Sequence, residues 1–345
     1  MITERRPMKI PQLILALFIT HAAASQPFAL VRLDSIGDVS FRGMSVVDDG
    51  VVWASGNKGT VVKSTDGGKT WTRLHVMGFD ILDFRSLYAF NAQEAIIANA
   101  GSPAYVLRTS DGGAHWSVVY TSNHPDAFFD GVDFWNDRDG ILYGDPIDGR
   151  MSMLRTQDGG KNWSTVTSAP QLEKGEASFA ASGTGIRCYG KSSLLICTGG
   201  TVSRLWASED MGQTWTAIQP PVVQGKASTG IFSVVRSSGK RIMVVGGDFA
   251  DPGMSTGHQL LSRDGGAHWI LPRKPVKGYR ECVEVIRDRA LIAVGPGGTD
   301  ISLDGGMVWT PVTAPAGLHV ARKARKGKVV FAAGNQGALY VLTQR

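Results

Sequence analysis

The sequence predicts an all-β chain: a seven-bladed β-propeller of four-stranded antiparallel blades. Three observations predict it. An eight-residue pattern, [Ser/Thr]-x-Asp-[Gly/Met]-Gly-x-x-Trp, occurs six times, at Ser64–Trp71, Thr109–Trp116, Thr156–Trp163, Ser208–Trp215, Ser262–Trp269 and Ser302–Trp309. The six Asp (Asp66, Asp111, Asp158, Asp210, Asp264 and Asp304) follow one another at 40 to 54 residues, the length of one propeller blade. Between the patterns lie β-branched and aromatic runs broken by Gly and Asp, as expected of short strands and tight turns. Gly is abundant, 43 of 345 residues, against an ordinary share of ~7%.

The elements follow in order. Arg5, Arg6 and Lys9 precede an apolar run, Ile10–Ile19, and then Ala22 and Ala24. Charge, apolar run and Ala-x-Ala spacing predict a signal peptide over 1–24, cleaved after Ala24. The run is too short to span a bilayer, which takes ~20 residues; an uncleaved anchor is the alternative. Arg5-Arg6 leaves twin-Arg export open beside the general route. The expected product is a single domain over 25–345, periplasmic or extracellular.

Blade 1 sets the template. Phe41–Val47 is strand a, Val51–Gly56 strand b, Gly59–Thr65 strand c and Trp71–Val76 strand d. The pattern itself is the c–d turn. Its Gly residues allow positive φ, its Asp carboxylate can accept backbone N–H groups, and its Trp (Trp71, Trp116, Trp163, Trp215, Trp269, Trp309) can fill the gap between blades. After the sixth pattern, Leu318–Ala324, Lys328–Asn335 and Gly337–Gln344 give strands a, b and c of a seventh blade. Phe28–Asp34, which has no strands before it, is expected to supply the missing strand d and close the ring, removing open edges.

The six turns resemble the Asp-box, or bacterial neuraminidase, repeat. The phrases over 41–71 and 128–140 are most similar to the photosystem II stability/assembly-factor family of exported propellers. The resemblance implies a seven-bladed exported propeller without a proven enzymatic role, whose phototroph members bind newly made reaction-centre protein. It speaks to fold more than to function.

Composition excludes several classes. Three Cys rule out a disulfide scaffold or a Cys-rich metal protein. The net charge of +6 comes from scattered Lys and Arg, so no nucleic-acid partner is expected. His75, His124, His258 and His319 have no zinc spacing, His115 and His268 sit in turns, and no dinucleotide motif is present. No metal and no cofactor are expected.

The working face is expected where the a strands begin. Aligned on their leading residue they read FRGMSV (41), FRSLYA (84), FDGVDF (129), FAASGT (179), IFSVVR (231), YRECVE (279) and LHVARK (318). Arg42, Arg85 and Arg280 then share one repeat position, with Asp130 in blade 3. Equivalent positions converge on the ring axis, so a channel mouth bearing three Arg is expected. Arg suits planar recognition of a carboxylate, such as a peptide C-terminus or an acidic side chain. The alternative is that each Arg pairs with a neighbouring Asp83, Asp130 or Glu281.

Two functions remain open. One is a non-enzymatic binding scaffold, a monomer that presents this mouth to a protein or peptide. The other is a sialidase-like glycoside hydrolase. Sialidases bind a carboxylate with three Arg and use a Tyr–Glu pair with an Asp acid, for which Arg42, Arg85, Arg280, Tyr279, Glu281 and Asp130 are candidates. The Phe-Arg-Ile-Pro signature is only half present, as Phe41-Arg42-Gly43-Met44. Asp130 and Glu176 are a second candidate carboxylate pair. No catalytic residue is assigned.

Three further features carry expectations. Cys188 and Cys197 flank a hairpin and face each other for a disulfide if its turn is centred between 192 and 193; Cys282 then stays free. The b–c loops Gly144–Gly149 and Gly246–Pro252 hold paired Asp that could take calcium or make plain Asp-Pro turns. The basic run Arg322–Lys328 is expected at the a–b turn of blade 7, as a solvated turn or a peripheral contact to anionic lipid or an acidic partner.

Overall fold

The structure is a computed structural model that describes residues 27–237, 239–313 and 316–345. The signal peptide expected over 1–24 lies outside the described residues. Seven antiparallel sheets form the ring. Blade 1 runs Phe41–Val46, Val52–Gly56, Thr60–Ser64, Thr72–His75. The inner strands of the next five blades are Ser86–Ala89, Phe129–Phe134, Ile186–Tyr189, Thr229–Arg236 and Cys282–Arg287. Blade 7 consists of Leu318–Lys323, Val330–Gly334, Ala338–Gln344 and, from the other end of the chain, Phe28–Ser35. That last strand pairs antiparallel with Ala338–Gln344, from Phe28 opposite Gln344 to Ser35 opposite Ala338, and the ring closes as expected. In blade 5 the outer strand is reduced to one bridge, Leu261 to Ile270. Two short strands, Glu176–Ala177 and Gly199–Gly200, extend the same sheet inward.

The core is divided by the ring itself. Apolar clusters fill each interface between neighbouring blades. Alternation along each strand sends one row of side chains to each adjacent blade, so both sheet faces are buried. The pattern Trp of blades 1 to 6 each pack into the interface with the preceding blade, from Trp71 between blades 7 and 1 to Trp309 between blades 5 and 6. The interface between blades 6 and 7 has no such Trp; Phe28 packs there, against residues such as Ile292 and Leu342.

The six repeated turns share one hydrogen-bond scheme, except that Val308 in blade 6 gives its Asp no side-chain donor. The Ser64 hydroxyl donates to Asp66 Oδ1 at 2.8 Å and accepts from Gly68 N at 2.9 Å. Asp66 Oδ1 accepts from Thr70 N at 2.9 Å, and Oδ2 from the Thr70 hydroxyl at 2.6 Å. Gly67 and Gly68 have φ of 77° and 85°; in blade 4 Met211 takes up φ 60° at the first of these positions.

These bonds favour the ionised carboxylate. The Thr70 hydroxyl and N–H hold Asp66 at about 2, and Thr214 does the same for Asp210. The backbone N–H groups of His115 and His268 lower Asp111 and Asp264. At Asp158 burial opposes the shift, but Asn162 still leaves it at about 2. A carboxylate whose folded pKa is depressed adds stability above its unfolded value of ~3.9, lost as pH falls through the folded value. The melting temperature is therefore expected to stay flat down to about pH 4 and to fall steeply towards pH 2. Thr70→Val with Thr214→Val should lower the plateau above pH 4 and make the fall towards pH 2 smaller in a thermal scan, because the folded pKa values of Asp66 and Asp210 move back towards the unfolded one. A fall of unchanged size would remove the turns as its cause.

Three expectations are corrected. Phe179–Thr184 is not strand a of blade 4: that strand starts at Ile186, and the segment before it enters the channel. Cys188 pairs with Leu194 and Tyr189 with Ser193, so the turn is centred on Lys191. This puts Cys197 out of register with Cys188, and all three Cys are free thiols. The basic run is not simply a solvated turn. Lys326 and Lys328 are exposed, but Arg322 turns into the channel, donating to Gly183 O at 2.8 Å, and Arg325 lies over the Tyr88 ring.

Candidate functional site at one mouth of the channel

Register fixes which residues share the mouth. In blade 1, Ser64 pairs with Val52 and Val52 with Val46, while Arg42 is the extra residue of a bulge between Phe41 and Gly43. Applied to each blade, the same count gives Arg85, Asp130, Thr184, Phe232, Glu281 and His319. Bulges recur at Asp130, Phe232 and His319. A bulge re-aims a side chain that strict alternation would send elsewhere.

Blade 6 departs from the sequence expectation by one residue. Cys282 pairs with Val294, so Glu281 takes the mouth position and Arg280 the place that Phe41 has in blade 1. Arg280 is 2% exposed. Its Nε and one terminal nitrogen donate to Asp300 Oδ2 at 3.0 and 2.5 Å. The structure brings Arg42, Arg85 and Asp130 to equivalent positions and leaves Arg280 beside Asp300.

The remaining charges are partly paired, as the alternative reading allowed. Arg42 donates to Glu281 Oε2 at 3.1 Å and to Ala181 O at 2.9 Å. Glu281 also accepts from His319 Nδ1 at 2.5 Å and from the Tyr279 hydroxyl at 3.2 Å. Burial would raise its pKa, but His319 and Arg42 hold it below the usual value. Arg85 donates from Nε to Asp83 at 2.7 Å and stays one-third exposed. Asp130 is fully buried, and neither of its carboxyl oxygens has a hydrogen-bond partner among the described residues. Burial, then Asp145, pushes it well above the usual carboxylate range, with Arg85 opposing. Glu176, the other candidate carboxylate, is taken up by Arg204 and Thr198.

Above these groups opens a cavity of about 600 Å³ lined by Arg42, Arg85, Glu281 and a set of aromatic rings. Phe179 and Phe232 stack at 3.8 Å. Tyr279 meets Phe232 edge-on at 4.7 Å, and Phe249, 51% exposed, stands edge-on to the stacked pair. No local pattern in the sequence assembles this cluster, because its rings come from a channel segment, a strand, the lead into another strand and a b–c loop. The exposed Met77 and Ile81 lie on the d–a connection that follows blade 1, on the same face. Two guanidinium groups beside an aromatic floor can hold a carboxylate next to an apolar side chain.

The Asp residues of the loops considered for calcium accept from backbone N–H groups. Asp145 accepts from Ser178 N at 2.9 Å and Asp248 from Ala250 N at 2.9 Å. Among the described residues no group of three or more His, Cys, Asp or Glu could hold a metal ion.

Seven blades, a closing strand and a pocket at the axis define a seven-bladed β-propeller. The family model of Photosynthesis system II assembly factor YCF48 matches residues 21–125 and 99–245, and the chain belongs to that family. Among solved structures, YCF48 bound to a D1 peptide is similar at 17% identity and TM-score 0.65, over 93% of this chain and 96% of that one. YCF48 from Cyanidioschyzon merolae is similar at 16% and 0.66, over 91% and 98%. A GH74 xyloglucanase from Xanthomonas campestris is similar at 15% and 0.63, over 91% of this chain and 53% of that one. Identities this low speak to the fold alone. No curated protein matches the chain.

Proposed function

We propose that this chain is an exported, non-enzymatic binding scaffold of the assembly-factor type, and that it holds a peptide segment of a partner protein at the Arg42/Arg85 mouth. The observation that carries the reading is the juxtaposition of these two Arg with the stacked Phe179 and Phe232 in one cavity. A C-terminal or side-chain carboxylate would meet the guanidinium groups while a neighbouring apolar side chain covers the rings. The family supports a protein or peptide partner, as does the similar fold of YCF48 bound to a D1 peptide. In this reading the protein is a monomer, residues 1–24 are removed on export to the periplasm or the outside, and the six turns are Asp boxes that serve the fold.

The test is fluorescence anisotropy with labelled peptides ending in Phe or Leu, compared with their C-terminal amides. Arg42→Gln with Arg85→Gln, or amidation of the peptide, is expected to weaken binding about tenfold or more, as loss of a charge-assisted bond does. Equal affinity in all cases would refute the reading.

The sialidase-like alternative has one observation in its favour, the Tyr279 hydroxyl on Glu281 beside Arg42. Against it, Arg280 lies with Asp300 and Glu281 is already held by three donors. Turnover of a fluorogenic sialoside, abolished by Tyr279→Phe, would favour the enzyme.

A further inference from the structure

The channel is blocked midway. Residues 181–184 of the segment before Ile186 bond to four different blades. Ala181 O accepts from Arg42, Gly183 O from Arg322 at 2.8 Å, the Ser182 hydroxyl donates to Glu281 O at 2.8 Å, and the Thr184 hydroxyl to Ser233 Oγ at 2.6 Å. The block leaves a second cavity at the opposite mouth, among the far ends of the inner strands, with a volume of about 540 Å³. That size suits a small molecule.

Its charges are unbalanced. Five cations, Arg187, Arg236, Arg322, Lys323 and Arg325, line it against three carboxylates, Asp133, Glu284 and Asp288. Arg187 is paired with Glu284 at 3.0 Å and Arg236 with Glu209 at 3.6 Å. Asp133 is committed to the backbone N–H groups of Phe134 and Cys188, each at 2.9 Å. Arg322, Lys323 and Arg325 make no ion pair among the described residues. The Nε of Arg322 is buried and has no hydrogen-bond partner among them. Arg325 is held in place, its guanidinium 4.3 Å from the Tyr88 ring centre and bonded to Ser45 Oγ at 2.8 Å. Leu87, Tyr88 and Phe134 supply apolar wall.

A buried cation without an ion pair is costly. Burial, and then Arg187, pulls Arg322 down to about 10, with Asp133 and Glu284 opposing. An anion bound between Arg322 and Arg325 would relieve both effects. We propose that this cavity binds a small organic anion, a carboxylate or phosphate monoester on an apolar body, with Arg322 and Arg325 taking the anionic group and Tyr88 and Phe134 facing the body. The site lies on the far side of residues 181–184 from the peptide mouth.

Calorimetric titration of the full chain at low ionic strength tests it, with benzoate and phenyl phosphate as probes and benzyl alcohol as the neutral control. Saturable binding is expected for at least one anion and not for benzyl alcohol. Which anion binds tells carboxylate from phosphate. Arg325→Gln, at an exposed residue, should weaken it about tenfold, as should Arg322→Gln, with thermal unfolding checked for both. Lys277→Gln, at an exposed cation outside both cavities, should leave it unchanged. No saturable binding, equal affinity in Arg325→Gln, or an equal loss in Lys277→Gln would each overturn the proposal.

Discussion

A chain lacking residues 27–35 is expected to lose its cooperative fold. Those residues supply the outer strand of blade 7, and every pair from Phe28–Gln344 to Ser35–Ala338 joins the two ends of the chain. Removing the strand uncovers the Ala338–Gln344 edge, which then offers unpaired N–H and C=O groups to other chains. It also removes Phe28, 4% exposed, from the one blade interface that lacks a pattern Trp. Phe28→Ala alone should cost about 3–5 kcal/mol, as large-to-small changes in a packed core do, and this is measurable by chemical denaturation. The deletion should go further, giving aggregates on size-exclusion chromatography and early proteolysis of Ala338–Gln344. A synthetic peptide of residues 27–36, added during refolding, should restore the elution volume of the parent chain. A deletion variant that elutes like the parent chain with an unchanged unfolding midpoint would show that the ring holds without its closing strand.

The same closure was legible in the sequence because it rests on repetition. Six turns set the blade count, and Phe28–Asp34 was the strand left over. The mouth was less legible because it rests on register. Aligning the inner strands on a leading aromatic residue placed Arg280 with Arg42 and Arg85, and it took Phe179 for a strand start. Counting back from the turn Ser gives the right answer in both blades. Ser302 leads to Leu291 and Val285, and Ser208 leads to Leu194 and Cys188, as Ser64 leads to Val52 and Val46. The difference is physical. Blades 1, 3, 5 and 7 carry a bulge at the start of strand a, whereas in blades 4 and 6 the pairing with strand b begins only at Ile186 and Cys282, past the mouth position. A leading aromatic residue therefore marks no common register, and a count from the turn does not depend on where the strand begins. The Cys188–Cys197 expectation failed for a related reason, since moving the hairpin centre to Lys191 takes the two Cys out of register. No local signal in the basic run marks Arg322 as channel-facing, because its partner Gly183 lies 139 positions away.

Separating Arg280 from the mouth has a consequence for stability. Arg280 and Asp300 are both almost fully buried, and Arg280 gives Asp300 Oδ2 two hydrogen bonds. Removing one partner strands a charge in the interior, which costs about 3–5 kcal/mol; replacing both with apolar side chains of similar volume is often neutral. Arg280→Met and Asp300→Leu should therefore each destabilise the fold by about that amount in chemical denaturation. The double variant should recover most of the loss, so the cycle should show strong coupling. Peptide affinity at the Arg42/Arg85 mouth should be the same in the double variant and the parent chain, because Arg280 does not line that cavity. Two results would reverse the assignment. Additive single effects would mean the pair is not an energetic unit. A double variant of parental stability that no longer binds peptide would return Arg280 to recognition, and with it the third Arg that the sequence alignment placed at the mouth.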